Sequence, residues 1–184
     1  MFRSAVCGLL ATLLLATTAA AQATAKFTLT SADIHAGQTM AIAQVFKGMG
    51  CTGANVSPAL RWQGAPPKTK SFALTMYDPD APTGSGWWHW VVYNIPASAT
   101  QLASGAASSG LPAGSAQGNT DFGSPGYGGP CPPTGDKPHH YIFTLYALDV
   151  DKLDVPASAT AAYVGFNLNG HALGKTTLTA LYSR

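Results

Sequence analysis

The chain contains no glutamate: its eight acidic residues are all aspartate, set beside 20 glycines and 13 prolines. Glutamate suits helix interiors, whereas aspartate, glycine and proline cap, turn and interrupt the backbone. A chain of this kind is expected to build strands and structured loops. Its apolar runs agree. Phe27-Thr28-Leu29-Thr30 alternates, Ser71 to Tyr77 places Phe72, Leu74 and Met76 on one face, and Trp88 to Asn94 and Tyr141 to Tyr146 are aromatic and β-branched. Pro58, Pro66-Pro67, Pro79, Pro82 and Pro96 bound these runs at short intervals, as an antiparallel sandwich or Greek key requires. The predicted fold is mainly β. Two segments depart from the pattern. Ala99 to Gly118 is rich in Ala, Gly and Ser with little to bury, and reads as a long surface loop with at most a short helical turn. Thr160 to Ala172 holds a predicted helix ahead of a C-terminal strand, Thr177 to Tyr182.

The first residues carry a secretory pattern. Arg3 supplies a short positive region, Val6 to Ala16 an apolar run of about eleven residues, and Ala21-Gln22-Ala23 a small-x-small cleavage site with Ala19-Ala20-Ala21 as its rival. The run is shorter than the roughly 20 apolar residues of a membrane span. We therefore expect a cleavable signal peptide over residues 1–23, a single domain over 24–184, no membrane span, and export to the periplasm. Cleavage removes Cys7 and leaves Cys51 and Cys131 in an oxidising compartment. A disulfide between them would close a long loop and stabilise by about 4 kcal/mol on the chain-entropy model; the alternative is two buried free thiols. The formal charge is only +2, with Lys and Arg scattered singly. That distribution argues against a nucleic-acid partner.

The chemistry is concentrated in two stretches. Asp78-Pro79-Asp80-Ala81-Pro82 runs into Trp87-Trp88-His89-Trp90, and Gly126-Tyr127-Gly128-Gly129-Pro130-Cys131-Pro132-Pro133 runs into His139-His140-Tyr141. Each proline disfavours helix at the residue before it, so Asp78 and Asp80 are expected on an extended backbone with both carboxylates aimed to one side. For His89, apolar tryptophan walls would lower the imidazole pKa and a nearby carboxylate would raise it. His139 and Tyr141 share strand parity, which turns His140 the other way and favours His139 as the pocket residue. His35 and His171 lack such company and read as surface or structural histidines. In the second stretch, glycines let the backbone approach an anion and offer N–H donors, while prolines hold the loop in one shape.

With Asn55-Val56-Ser57-Pro58, Gly84-Ser85-Gly86, Val91-Val92-Tyr93-Asn94-Ile95-Pro96, Asp121-Phe122-Gly123 and Tyr146-Ala147-Leu148-Asp149, these motifs resemble the phosphatidylethanolamine-binding protein family, also called the Raf kinase inhibitor protein family, in its bacterial YbhB/YbcL branch. The resemblance implies two antiparallel β-sheets with a few short peripheral helices and one small anion pocket. By motif position it implies a lining of Asp78, Asp80, His89, Gly129, Pro133, His139 and Tyr141, with Pro82 and Pro132 close by. Members of that family are associated with phospholipid head groups, nucleotides and other small anions, and some inhibit kinases or serine proteases. His140 stands where an arginine is usual in the commonest eukaryotic form of the family, which weakens any bidentate hold on a phosphate.

The expected function is an exported binding protein for a small anion of the phosphate, phosphoethanolamine-like or carboxylate kind. It needs no cofactor and performs no catalysis. In this reading the carboxylates orient the imidazoles, the imidazoles and loop N–H groups meet the anion, and Tyr141 adds a hydroxyl donor. One alternative is a protease or signalling inhibitor acting on a protein partner through the pocket rim and the Ala99 to Gly118 loop. Another is a metal-dependent hydrolase using Asp78, Asp80, His89 and His139 as ligands, although their spacing matches no established metal motif.

Overall fold

The computed structural model describes Met1 and residues 25–184; the expected signal segment, apart from Met1, lies outside the described residues. The fold is mainly β. Its strands are β1 (Thr28–Thr30), β2 (Lys47–Gly48), β3 (Cys51–Thr52), β4 (Leu60–Gln63), β5 (Ser71–Asp78), β6 (Trp87–Pro96), β7 (Gln101–Leu102), β8 (Ala116–Gln117), β9 (His139–Leu148) and β10 (Ala172–Tyr182). Two helices join them, α1 (Ala106–Ser109) and α2 (Ala161–His171). One sheet has the order β10-β9-β5-β6-β8, a smaller one the order β1-β4-β7, and β2 and β3 form a separate hairpin. All the paired strands are antiparallel.

The main core joins the two sheets. Leu29, Leu60, Trp62 and Leu102 of the small sheet meet Phe72, Leu74, Met76, Trp90, Phe143 and Leu145 of the large one. Phe72, Leu74 and Met76 therefore share the face that their alternation predicts. The intervening Ala73 is equally buried, because α2 covers the other face of the large sheet with Val164 and Leu168. A strand covered on both sides loses its polar alternation. Helix α2 forms within the predicted Thr160 to Ala172 segment, where the Thr160 hydroxyl accepts the Tyr163 N–H as an N-cap. The Ala99 to Gly118 segment corrects one expectation. It has more to bury than its composition implied: Leu102 and Ala106 enter the main core, and β8 pairs along the edge of β6.

Cys51 and Cys131 form a disulfide, with Cα atoms 6.0 Å apart and 80 residues of separation. It ties the β2–β3 hairpin to the Gly/Pro loop that precedes β9. Among the described residues, no helix is long and apolar enough to cross a membrane.

Candidate functional site

The antiparallel order brings the end of β5, the start of β6, the start of β9 and the end of β10 to one end of the large sheet, since Asp78 pairs with Trp87 and His139 with Tyr182. A cavity of about 360 Å³ opens there. Asp78, Pro82, His89, Pro132, Pro133, His139 and Tyr141 line it, seven of the nine residues expected at a ligand site. Ala81, Thr83, Trp87, Phe122, Cys131, Met49 and Arg184 complete the wall.

Strand parity places His139 and Tyr141. Both are buried, and both share the inward face of β9 with Phe143, whereas His140 is exposed. His89 reaches the same cavity by another route. Met76 pairs with Trp90 and Tyr77 with Trp88, so His89 is an extra residue in β6 without a partner on β5. Simple alternation from Trp90 would turn His89 toward the α2 side. The bulge re-aims it, and its ring meets Tyr141 edge to face at 5.2 Å between centroids.

The hydrogen bonds assign roles. His139 Nδ1 lies 2.8 Å from Asp78 Oδ2, and His139 Nε2 lies 3.4 Å from Asp136 Oδ2. Burial works to lower the His139 pKa, but the Asp78 bond, the Asp78 charge and the Asp136 contact outweigh it and hold the ring above its ordinary value. His89 goes the other way. Burial pushes it down to about 4 despite the Gly128 carbonyl and the Asp78 charge, so it is neutral at physiological pH. Its Nδ1–H donates to Gly128 O at 2.7 Å, which leaves Nε2 as an acceptor. The two imidazoles expected to meet an anion are thus shifted in opposite directions, His139 toward its charged form and His89 toward a neutral acceptor.

Tyr141 Oη is buried and has no hydrogen-bond partner among the described residues. Burial, with the Asp78 charge behind it, raises the phenol's pKa and keeps the hydroxyl protonated.

Two expected residues sit elsewhere. Asp80 does not share a side with Asp78. Asp78 Oδ1 accepts the Asp80 N–H in a tight turn that swings the Asp80 side chain outward, where its Oδ2 accepts from the His140 backbone N–H and bonds the His140 ring. These bonds hold Asp80 below the usual carboxylate range although burial alone would raise it. Gly129 is a packing residue. A Cβ built there would lie 1.9 Å from Gln44 O, so only glycine lets the loop cross the backbone of residues 44–46. The loop amides are also committed: Gly128 N–H donates to His89 O, and Gly129 N–H to Asn55 Oδ1. The glycine run therefore serves the fold, and these two N–H groups are not donors for a ligand. With Asp80 turned away, the four residues of the hydrolase alternative do not converge. Among the described residues no group of three or more His, Cys, Asp or Glu side chains is placed to hold a metal ion.

A second cavity, of about 480 Å³, lies next to the first and shares Met49, Trp87 and Phe122 with it. The Phe122 ring stands against Phe46 at 4.6 Å, Trp87 at 5.4 Å and His89 at 5.5 Å between centroids. Arg184 was missed by sequence reasoning because its contacts join positions 52 to 135 residues apart.

Comparisons with known proteins agree with this geometry. A family model described as phosphatidylethanolamine-binding protein matches residues 30–183. The chain is similar to UPF0098 protein YbcL of Escherichia coli (strain K12), at 49% identity over 177 residues, covering 95% of this chain and 96% of that protein. It is also 49% identical over 157 residues to UPF0098 protein YbhB of the same strain, covering 84% of this chain and 99% of that one. The crystal structure of E. coli YbcL superposes with a TM-score of 0.85, covering 87% of this chain and 99% of that chain. A match over these residues shows that the chain belongs to the phosphatidylethanolamine-binding protein family.

Proposed function

We propose that this chain is an exported, non-catalytic binding protein whose cavity takes a small anion of the phosphate or phospholipid-head-group class. One observation carries the reading: the Tyr141 hydroxyl, buried in the cavity wall, has no partner. A buried hydroxyl left without a hydrogen bond costs about 1–3 kcal/mol. A ligand oxygen would supply the missing acceptor. His139, which Asp78 and Asp136 hold toward its charged form, would face the anion's charge, and neutral His89 would accept from a protonated oxygen or an amine at Nε2.

The non-catalytic reading is supported by how the candidate reactive groups are used. Cys51 and Cys131 are joined to each other, and the Thr83 hydroxyl is bonded to Gly86 O. No nucleophile is thus paired with either imidazole among the described residues. Export is supported by the signal pattern of residues 1–23 and by the disulfide, a bond that persists in oxidising compartments.

Native mass spectrometry of the mature protein from its own compartment tests the proposal. The wild type should carry a small anion that His89→Ala and His139→Ala lose, and its N-terminus should begin near Thr24. A wild type that arrives bare and fails to take up phosphate in titration would overturn it.

A further inference from the structure

Arg184 follows β10 and lines the same cavity as His139 and Tyr141. Its guanidinium is held by three backbone carbonyls: Nε–H donates to Pro132 O at 2.6 Å, Nη1 to Gly50 O at 3.0 Å and Nη2 to Met49 O at 3.5 Å. A guanidinium has five N–H donors. Two therefore remain, one on each terminal nitrogen, beyond the three that the carbonyls take. Among the described residues Arg184 makes no salt bridge.

The carbonyl cradle is built from the disulfide outward. Met49 and Gly50 are the two-residue turn of the β2–β3 hairpin, both with positive φ, 51° and 81°. That turn aims two successive carbonyls at one cation. They directly precede Cys51, and Pro132 directly follows Cys131, so the bridge holds both sides of the cradle at a set distance. A Cβ at Gly50 would stand 3.2 Å from Nη1, close enough to press on the guanidinium.

The charges of the cavity then fall into place. His139 is compensated by Asp78 and touched by Asp136, His89 is neutral, and Asp80 is paired outside with His140. Arg184 is a cation in the wall that, among the described residues, no aspartate side chain pairs.

We infer that Arg184 is the residue that makes this pocket selective for a phosphate oxyanion, through its fixed charge and the N–H donors that its carbonyl cradle does not take. The inference rests on the anion-pocket reading above and adds a specificity residue to it. The shared ligand chemistry is a phosphate group, free or within a lipid head group.

Calorimetric titration tests this, with inorganic phosphate and with glycerophosphoethanolamine as the two probes, on the mature chain with its disulfide intact and below its melting transition. Arg184→Gln should weaken the probe that the wild type binds better by at least about tenfold, and flatten the dependence of affinity on salt. Arg184→Lys keeps the charge but loses the fork, and should fall between the two. Unchanged affinity in Arg184→Gln, with binding abolished in His139→Ala, would overturn the role of Arg184 while leaving the pocket reading intact. A wild type that binds neither probe would overturn both. If Arg184→Gln melts early, the Lys variant decides: wild-type affinity and salt slope in Arg184→Lys would reduce the role to unspecific charge and count against the fork.

Discussion

Asp78 holds two partners at once: Oδ2 bonds His139 Nδ1 at 2.8 Å, and Oδ1 accepts the Asp80 backbone N–H at 2.8 Å. One buried carboxylate therefore orients the His139 imidazole and turns the chain at the mouth of the cavity. Removing one partner of a buried pair strands the other, at a cost of about 3–5 kcal/mol. Asp78→Ala should lower stability by roughly that amount in chemical denaturation, and a loss below about 1 kcal/mol would show that the pair is not coupled as described.

The same bond fixes a pH dependence. Because the folded-state pKa of His139 is raised, its contribution to stability is complete below the ordinary histidine value and is lost as pH rises through the higher folded value. Anion affinity should fall over that same upper window. An NMR titration placing the His139 ring at or below about 6.5 would contradict both statements.

His89 has the opposite sign. Its unfolded form takes a proton near 6.5 and its folded form only near 4, so stability should drop as pH falls between those values. A gap of that width corresponds to about 3 kcal/mol. Equilibrium unfolding at pH 7 and pH 4 should reveal the loss in the wild type and a much smaller one in His89→Gln.

Tyr141 separates binding from folding. Tyr141→Phe removes a hydroxyl that has no partner in the free protein, so stability should hold or rise by up to about 1 kcal/mol while anion affinity falls. A variant that loses stability and keeps affinity would mean that the hydroxyl is satisfied within the fold.

Cys51→Ser with Cys131→Ser opens a loop of 80 residues and should cost about 4 kcal/mol. Thermal melting of the double variant against the oxidised wild type measures it.

What was legible in the sequence follows a physical rule. The parity of His139 and Tyr141 could be read because β9 runs through them without interruption. His89 could be placed at the start of a strand, but the reason it faces the cavity could not be read, since a bulge is a property of pairing between two strands. Asp80 was misplaced because the turn that swings it outward is made by a side chain, Asp78, that also serves β9. Gly129 was misread because a glycine needed for close backbone crossing looks, in sequence, like one needed for a ligand. Arg184 carried no local signal at all. Its significance arises from carbonyls on a hairpin and a loop that the disulfide joins.

Phe122 stands between two compartments of about 360 and 480 Å³, and a Cβ on Gly128 would fall 2.2 Å from its ring. Glycine at 128 is what allows the ring to occupy that place. An uncharged side chain is therefore what the two cavities share, apart from the ionic residues of the first. Phe122→Ala should enlarge the space that the two cavities share, and comparing the ligand lengths that the variant and the wild type take up would check it. On that expectation, ligand length and ligand charge answer to different side chains of this pocket.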